Sequence, residues 1–177
     1  MKKSLIFLSL LFLSIGTVGQ TSKISIGIVG SHFHNNSSSN RISEANNPYG
    51  YGVVLVRKFT DTFSMGVTFE YLEDNLEFGG GKEKDIRLHY SIYLHPLRTK
   101  YVQPYLSAGF VYTNRNLSYA NSSNKLEGNK NLFNARFSAG FGIPIIANFH
   151  LNGDLGVYTD GFGYVGWGSN FGFRFSL

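Results

Sequence analysis

Apolar and polar residues alternate with a period of two along most of the chain, and the alternation stops and resumes often enough to mark eight strand-like segments. The first runs from Lys23 to about Ser31 and puts Ile24, Ile26 and Ile28 on one face. In the second, "YGYGVVLVRKF", Tyr49, Tyr51, Val53 and Leu55 oppose Gly50, Gly52, Val54 and Val56, a pattern that orients this segment least of all. The third sets Phe63, Met65, Val67, Phe69 and Tyr71 against Ser64, Gly66, Thr68 and Glu70. The fourth sets Ile86, Leu88, Tyr90, Ile92 and Leu94 against Arg87, His89, Ser91, Tyr93 and His95. The fifth presents Pro104, Leu106, Ala108, Phe110 and Tyr112, and the sixth Phe133, Ala135, Phe137, Ala139, Phe141 and Ile143. The seventh offers Phe149, Leu151, Leu155 and Val157, and the last Trp167, Phe171, Phe173, Phe175 and Leu177.

The connections have a rhythm of their own. Long polar stretches, "HFHNNSSSNRISEANN", "EDNLEFGGGKEK" and "RNLSYANSSNKLEGNKN", alternate with short turns at Thr60 to Thr62, at "PLRTK" and around Pro144 to Ala147, and "TDGFGYVG" makes a last connection of medium length. An up-and-down sheet with its short turns at one end and its long loops at the other has this order, which is that of outer-membrane barrels. The polar faces decide which side is outside. They carry mainly Gly, Ser, Asn and Thr, too small and too uncharged for a soluble exterior and suited to the inside of a narrow eight-stranded barrel. The other face carries Ile, Leu, Val and Phe, with Tyr49, Tyr51, Tyr71, Tyr112 and Trp167 towards segment ends, as an apolar band between aromatic girdles would. The expected fold is therefore an all-β, eight-stranded antiparallel up-and-down transmembrane β-barrel. A soluble lipocalin-like carrier is the alternative, but it calls for a Trp early in the mature chain, and the one Trp is Trp167.

Composition sharpens this. The 177 residues suffice for one domain, and 21 glycines with 16% aromatic and only 15% charged residues favour β structure. The first twenty residues, "MKKSLIFLSLLFLSIGTVGQ", have the charged, apolar and small-residue order of a secretory signal peptide, and their apolar run from Leu5 to Leu13 is shorter than the roughly 20 residues of a spanning helix. The expected division is a signal peptide over 1–19 and a barrel over 20–177. Removing Lys2 and Lys3 leaves 14 basic against 11 acidic side chains, and a net +3 this dispersed gives no reason to expect a nucleic-acid partner. Cysteine is absent, which excludes disulfides and thiol chemistry.

Register arithmetic brings charges together inside. A hairpin centred near Ile145 sets Phe141 opposite Phe149 and Arg136 opposite Asp154. One centred near Tyr164 sets Leu155 opposite Phe173 and Asp154 opposite Arg174, so that one carboxylate stands between two guanidiniums. Around "FGGG", Phe69 falls beside Leu88 and Glu70 beside Arg87. Glu70, Arg87, Arg136, Asp154 and Arg174 are thus expected to form lumen ion pairs, the alternative being charges wetted inside a hydrated barrel.

The chain resembles the small eight-stranded outer-membrane β-barrels of the OmpA and OmpX type from about Gln20 to Leu177. "PYLSAGFVY" is similar to a strand common in such barrels. The ending "NFGFRFSL" is similar to their assembly signal through Asn170, Gly172, Phe175 and Leu177, with Leu where Phe is usual. The resemblance implies a bacterial outer-membrane location after export, contact with outer-membrane lipid and lipopolysaccharide, and recognition by the barrel-assembly machinery. It also implies a monomeric, non-enzymatic protein without a cofactor, serving the cell envelope or meeting an extracellular partner through its loops. Those loops, "HNNSSSN" and "YANSSNKLEGNKN", either meet such a partner or only solvate the outer end.

Two constellations bear on chemistry. His89 and Ser91 in "HYS" have the spacing used by some lipid A deacylases, so a lipid A or phospholipid hydrolase is the enzyme alternative, although the register aims both residues inward. His32 and His34 share a face but lack a third metal ligand. The glycines of Gly79 to Gly81 and of "GFGYVGWG" precede no helix, so a phosphate-binding loop is not implied. A narrow, porin-like pore remains a further alternative, against which eight strands leave room only for side chains.

Overall fold

Alternation of this kind satisfies a backbone only if every strand finds two neighbours, and here each does. The computed structural model describes residues 23–35, 48–75, 81–97, 99–121, 124–160 and 163–177. The leader expected over 1–19, most of the first polar connection and part of "FGGG" lie outside them. The strands are β1 (Ile24–Asn35), β2 (Tyr49–Lys58), β3 (Phe63–Asn75), β4 (Lys82–Leu94), β5 (Gln103–Asn121), β6 (Asn124–Ile146), β7 (Phe149–Asp160) and β8 (Gly163–Ser176). Each runs antiparallel to its neighbours in sequence, and β8 pairs with β1 from Ser25↔Ser176 to Asn35↔Gly166, closing the barrel.

The register fixes the barrel's dimensions. Following paired residues around the wall leads from Ile24 through Arg57, Met65, Ile92, Ala108, Phe137, Val157 and Trp167 to His34, so one circuit ends ten residues further along β1. With ordinary strand spacings, eight strands and this stagger give a strand tilt of roughly 40° and a backbone radius of about 8 Å. So tight a curve crowds backbones on the concave side. A Cβ on Gly109 would lie 1.9 Å from the Tyr90 carbonyl oxygen, and one on Gly172 would lie 2.1 Å from that of Ile28. Glycine is what lets the strands meet at those two points.

The facing follows the sequence pattern. Ile26, Ile28, Tyr49, Tyr51, Phe110, Phe137 and Phe171 point outward and are exposed, which also settles β2. Tyr51 and Tyr71 sit side by side with ring centroids 5.8 Å apart, at the end that carries the long connections. Trp167 stands at the same end, between His32 at 5.8 Å and His34 at 5.4 Å. Pro104 is the second residue of β5, where its missing donor interrupts the ladder least.

The connections at that end depart from expectation. "RNLSYANSSNKLEGNKN", expected as a loop, is almost wholly strand: β5 and β6 stay in register up to Asn121↔Asn124. Its polarity hid this, because a hairpin that projects beyond the barrel wall needs neither face to be apolar. Cross-strand amides hold the hairpin instead, with Asn114 Nδ2 donating to Asn129 Oδ1 at 3.2 Å and to Asn131 Oδ1 at 2.9 Å, and Tyr112 Oη donating to Asn131 Oδ1 at 2.8 Å. "TDGFGYVG" is likewise mostly strand, with a register shift between Tyr158 and Thr159. Because β7 pairs with β6 only from Ala135 downward, the hairpin stands above the barrel with one edge of β6 bare among the described residues.

If close approach is why Gly109 is glycine, Gly109→Ala should cost about 1–3 kcal/mol as overpacking does. Gly128→Ala, whose nearest neighbour would be 4.0 Å away, should be silent. Urea unfolding of the two refolded variants followed by heat-modifiable gel migration checks this.

Candidate functional site: a charged and plugged lumen

The inward positions of β3, β4, β5, β6 and β7 converge in the middle of the barrel because alternate residues of every strand must point there. Near the long-connection end, Asp85 Oδ2 accepts from Arg87 Nη2 at 3.0 Å and from Arg115 Nη2 at 3.0 Å, while Asp85 Oδ1 accepts from Arg115 Nε at 3.0 Å. Glu83 Oε1 lies 2.8 Å from Arg115 Nε, within ion-pair range though off the line of a hydrogen bond. All four side chains are buried. Two carboxylates thus face two guanidiniums, one of them gripped bidentately.

Below this lies an apolar layer of Phe33, Leu72, Val111 and Tyr158. The Arg87 guanidinium stacks 4.4 Å above the Phe33 ring, and that of Arg136 stacks 5.4 Å from the Tyr158 ring. Glu70 Oε2 is 3.0 Å from His89 Nε2, also off the hydrogen-bond line, and both residues are about 1% exposed. Arg136 Nη2 holds Asp154 Oδ1, and Tyr105 Oη donates to Asp154 Oδ2 at 3.1 Å. A second apolar layer, Val56, Tyr93 and Tyr105, closes the lumen towards the short-turn end. The cavity between these layers is only about 40 Å³, little more than one water molecule occupies.

The expected residues fall into place unevenly. Glu70 does stand opposite Arg87, as Phe69 does opposite Leu88, yet the two charges turn to other partners: Glu70 to His89 and Arg87 to Asp85. Arg136 and Asp154 are in contact but not cross-strand neighbours, since Arg136 lies opposite Tyr158 and Asp154 opposite Gly140. The hairpin turns at Ala147 and Asn148 rather than at Ile145, with a register shift between Pro144 and Ile146, so Phe141 meets Gly153 instead of Phe149. The long Arg136 side chain spans the diagonal. Arg174 is a correction: it lies opposite His150, and its Nη2 donates to Asn152 Oδ1, not to Asp154. The pairing of β7 and β8 runs further up than the loop reading of "TDGFGYVG" allowed, so Leu155 meets Ser169 rather than Phe173.

Asn170 and Gly172 line the lumen, and Phe175 and Leu177 face outward near the short turns. His89 and Ser91 both point inward and are buried. His32 and His34 belong to the outer rim, His32 with its ring 4.5 Å from that of Tyr49, and no group of three metal-ligating side chains occurs among the described residues. In the fourth strand the sequence pattern shows its clear alternation only from Ile86, so it does not predict the cluster of Glu83, Asp85 and Arg115. Carrying its alternation back through "KEKD" puts Glu83 and Asp85 on the same face as Arg87 and His89.

No protein-family model and no curated protein matches the chain. Solved structures do. The attachment invasion locus protein Ail of Yersinia pestis gives a TM-score of 0.60 at 16% identity, covering 88% of this chain and 100% of that one. The outer membrane protein OprG of Pseudomonas aeruginosa gives 0.64 at 10% identity, over 88% of this chain and 96% of that one. Neisserial surface protein A gives 0.62 at 13% identity, over 87% and 97%. The likeness is one of fold: the chain has the closed eight-stranded architecture of the small outer-membrane barrels of the OmpA and OmpX type.

Asp85→Ala strips two buried guanidiniums of a shared partner and should destabilise the refolded barrel by about 3–5 kcal/mol. Glu73→Gln, whose partner Lys82 is exposed at the rim, should leave the urea midpoint unchanged. Double-mutant cycles should give a larger coupling for Arg136 with Asp154 than for Arg174 with Asp154; equal couplings would contradict the pairing described here.

Proposed function

We propose that this chain is an integral protein of a Gram-negative outer membrane, monomeric and without catalysis of its own, that supports the envelope and acts through what it presents at the cell surface. The observation that carries this reading is the reversal of inside and outside. Arginines and carboxylates are buried in the middle, while Ile28 at 62%, Phe133 at 65% and Phe171 at 54% exposure stand on the outer wall. Water would penalise that wall, and lipid would not. The aromatic residues at the upper rim suit the headgroup level, where lipopolysaccharide and other outer-membrane lipids would be the neighbours. In this reading the long-connection end faces outward, as in outer-membrane barrels generally.

The surface role would fall to the β5–β6 hairpin. Its outward face is a run of amides from Asn114, Asn116, Asn129 and Asn131, and its bare β6 edge offers unpaired backbone groups to an extended extracellular partner. Asn170, Gly172, Phe175 and Leu177 would be read by the assembly machinery before the barrel closes. The enzyme reading finds no support in a histidine that is 1% exposed and held against Glu70. A diffusion pore finds none in a lumen blocked by two apolar layers.

Carbonate extraction should leave the protein in the membrane fraction, and unheated samples should migrate differently from boiled ones on gels; release as a soluble protein would sink the proposal. Deleting Phe175 to Leu177 should abolish assembly, seen as loss of the heat-modifiable form in cells, and normal insertion of that truncation would remove the ending from the argument.

A further inference from the structure

Three of the four lumen arginines described above hold a carboxylate, and the fourth does not. Among the described residues Arg174 makes no ion pair; its hydrogen bond goes to the neutral amide of Asn152, and its guanidinium lies 6.0 Å from the ring centres of both Tyr93 and Tyr105. Its side chain is half-buried beside the lumen mouth and keeps donors that a mobile anion can take. Below Arg174 the barrel opens at its short-turn end into a cavity of about 260 Å³, several times the ~30 Å³ of a water molecule. Arg174, Lys58 and Lys23 line it, and no Asp or Glu side chain does.

We propose that this vestibule is a binding site for a phosphate-class oxyanion, seated on Arg174. A guanidinium presents paired N–H donors that match two oxygens of a phosphate, and Arg174 has donors beyond the one given to Asn152. Lys58 adds a second cation from β2, one strand removed from β8 across β1; its ammonium also reaches Asp61, which is largely exposed on the turn outside the cavity. Ser25 and Ser176 stand 2.9 Å apart on the wall. One hydroxyl proton satisfies that contact, which leaves the other free to donate to an anion. The site is a cup rather than a passage. Its inner end is closed by Val56, Tyr93 and Tyr105, so an anion entering from this side docks and leaves by the same mouth. Phosphate fits better than chloride because guanidinium, ammonium and hydroxyl donors surround the space from several directions and a tetrahedral oxyanion can accept from all of them.

Isothermal titration of inorganic phosphate into the full barrel refolded in non-ionic detergent, against chloride at equal ionic strength, tests this. Saturable phosphate binding is expected, with chloride silent, and Arg174→Gln should weaken it by about tenfold, the loss expected for one hydrogen bond to a charged group. Lys100→Gln, on a turn outside the cavity, should bind as the parent does. Should Arg174→Gln fail to show the heat-modifiable folded band, Lys58→Gln serves in its place and should also weaken binding. Absence of saturable phosphate binding, equal response to chloride, or unchanged affinity in a folded Arg174→Gln or Lys58→Gln variant would each overturn the proposal.

Discussion

Closure with a stagger of ten over eight strands is the constraint from which the rest follows. It sets a backbone radius of about 8 Å, and a cylinder that narrow has no space for both a water column and inward side chains. Every second residue must therefore be absent, packed or paired. Glycine serves the first need where strands lean together, as at Gly109 and Gly172. The two aromatic and aliphatic layers serve the second, and the buried charges the third.

The pairing is not symmetrical along the axis. In the upper half Glu83, Asp85, Arg87 and Arg115 neutralise one another within a few ångströms, and Arg87 and Arg136 add aromatic faces to their carboxylates. Such a cluster contributes modestly as a whole but penalises loss of any member, so it specifies one packing of the lumen more than it deepens stability. Around the cavity of the lower half no Asp or Glu side chain stands among the described residues. Its cations, Arg174, Lys58 and Lys23, face a space that opens to solvent.

How far the sequence told this story depends on which periodicity carried each part. Strand number, facing and closure were legible because an apolar outer wall takes an apolar residue at every second position, and Ile24 to Ile28 or Phe171 to Phe175 keep that alternation without exception. Register was not, because it depends on where a hairpin turns, and a shift of two residues in the turn moves every partner by four. Arg136 still met Asp154 because a long side chain forgives that error; Arg174 did not, because Asn152 lay nearer. Strand beyond the barrel wall was illegible for a different reason. From Asn116 to Lys130 the residues that alternate are mostly polar at both parities, so the alternation that reveals a strand does not appear, and a hydrogen-bonded hairpin reads as a polar loop.

A filled lumen also limits how the two ends can communicate. A charge arriving at Arg174 is separated from Asp85 by the Tyr93 and Tyr105 layer, by the Glu70, His89 and Arg136 layer, and by Phe33 and Tyr158. These groups are packed on a closed hydrogen-bonded wall with a cavity of only about 40 Å³ between the layers, which leaves little room for occupancy below to move anything above. The barrel is therefore better understood as two independent aqueous faces on one rigid stem: a polar hairpin with a bare strand edge at one end, and a cationic cup at the other. Natural variation in the hairpin can then proceed without disturbing the cup, since the only parts they share are the strands that hold them apart.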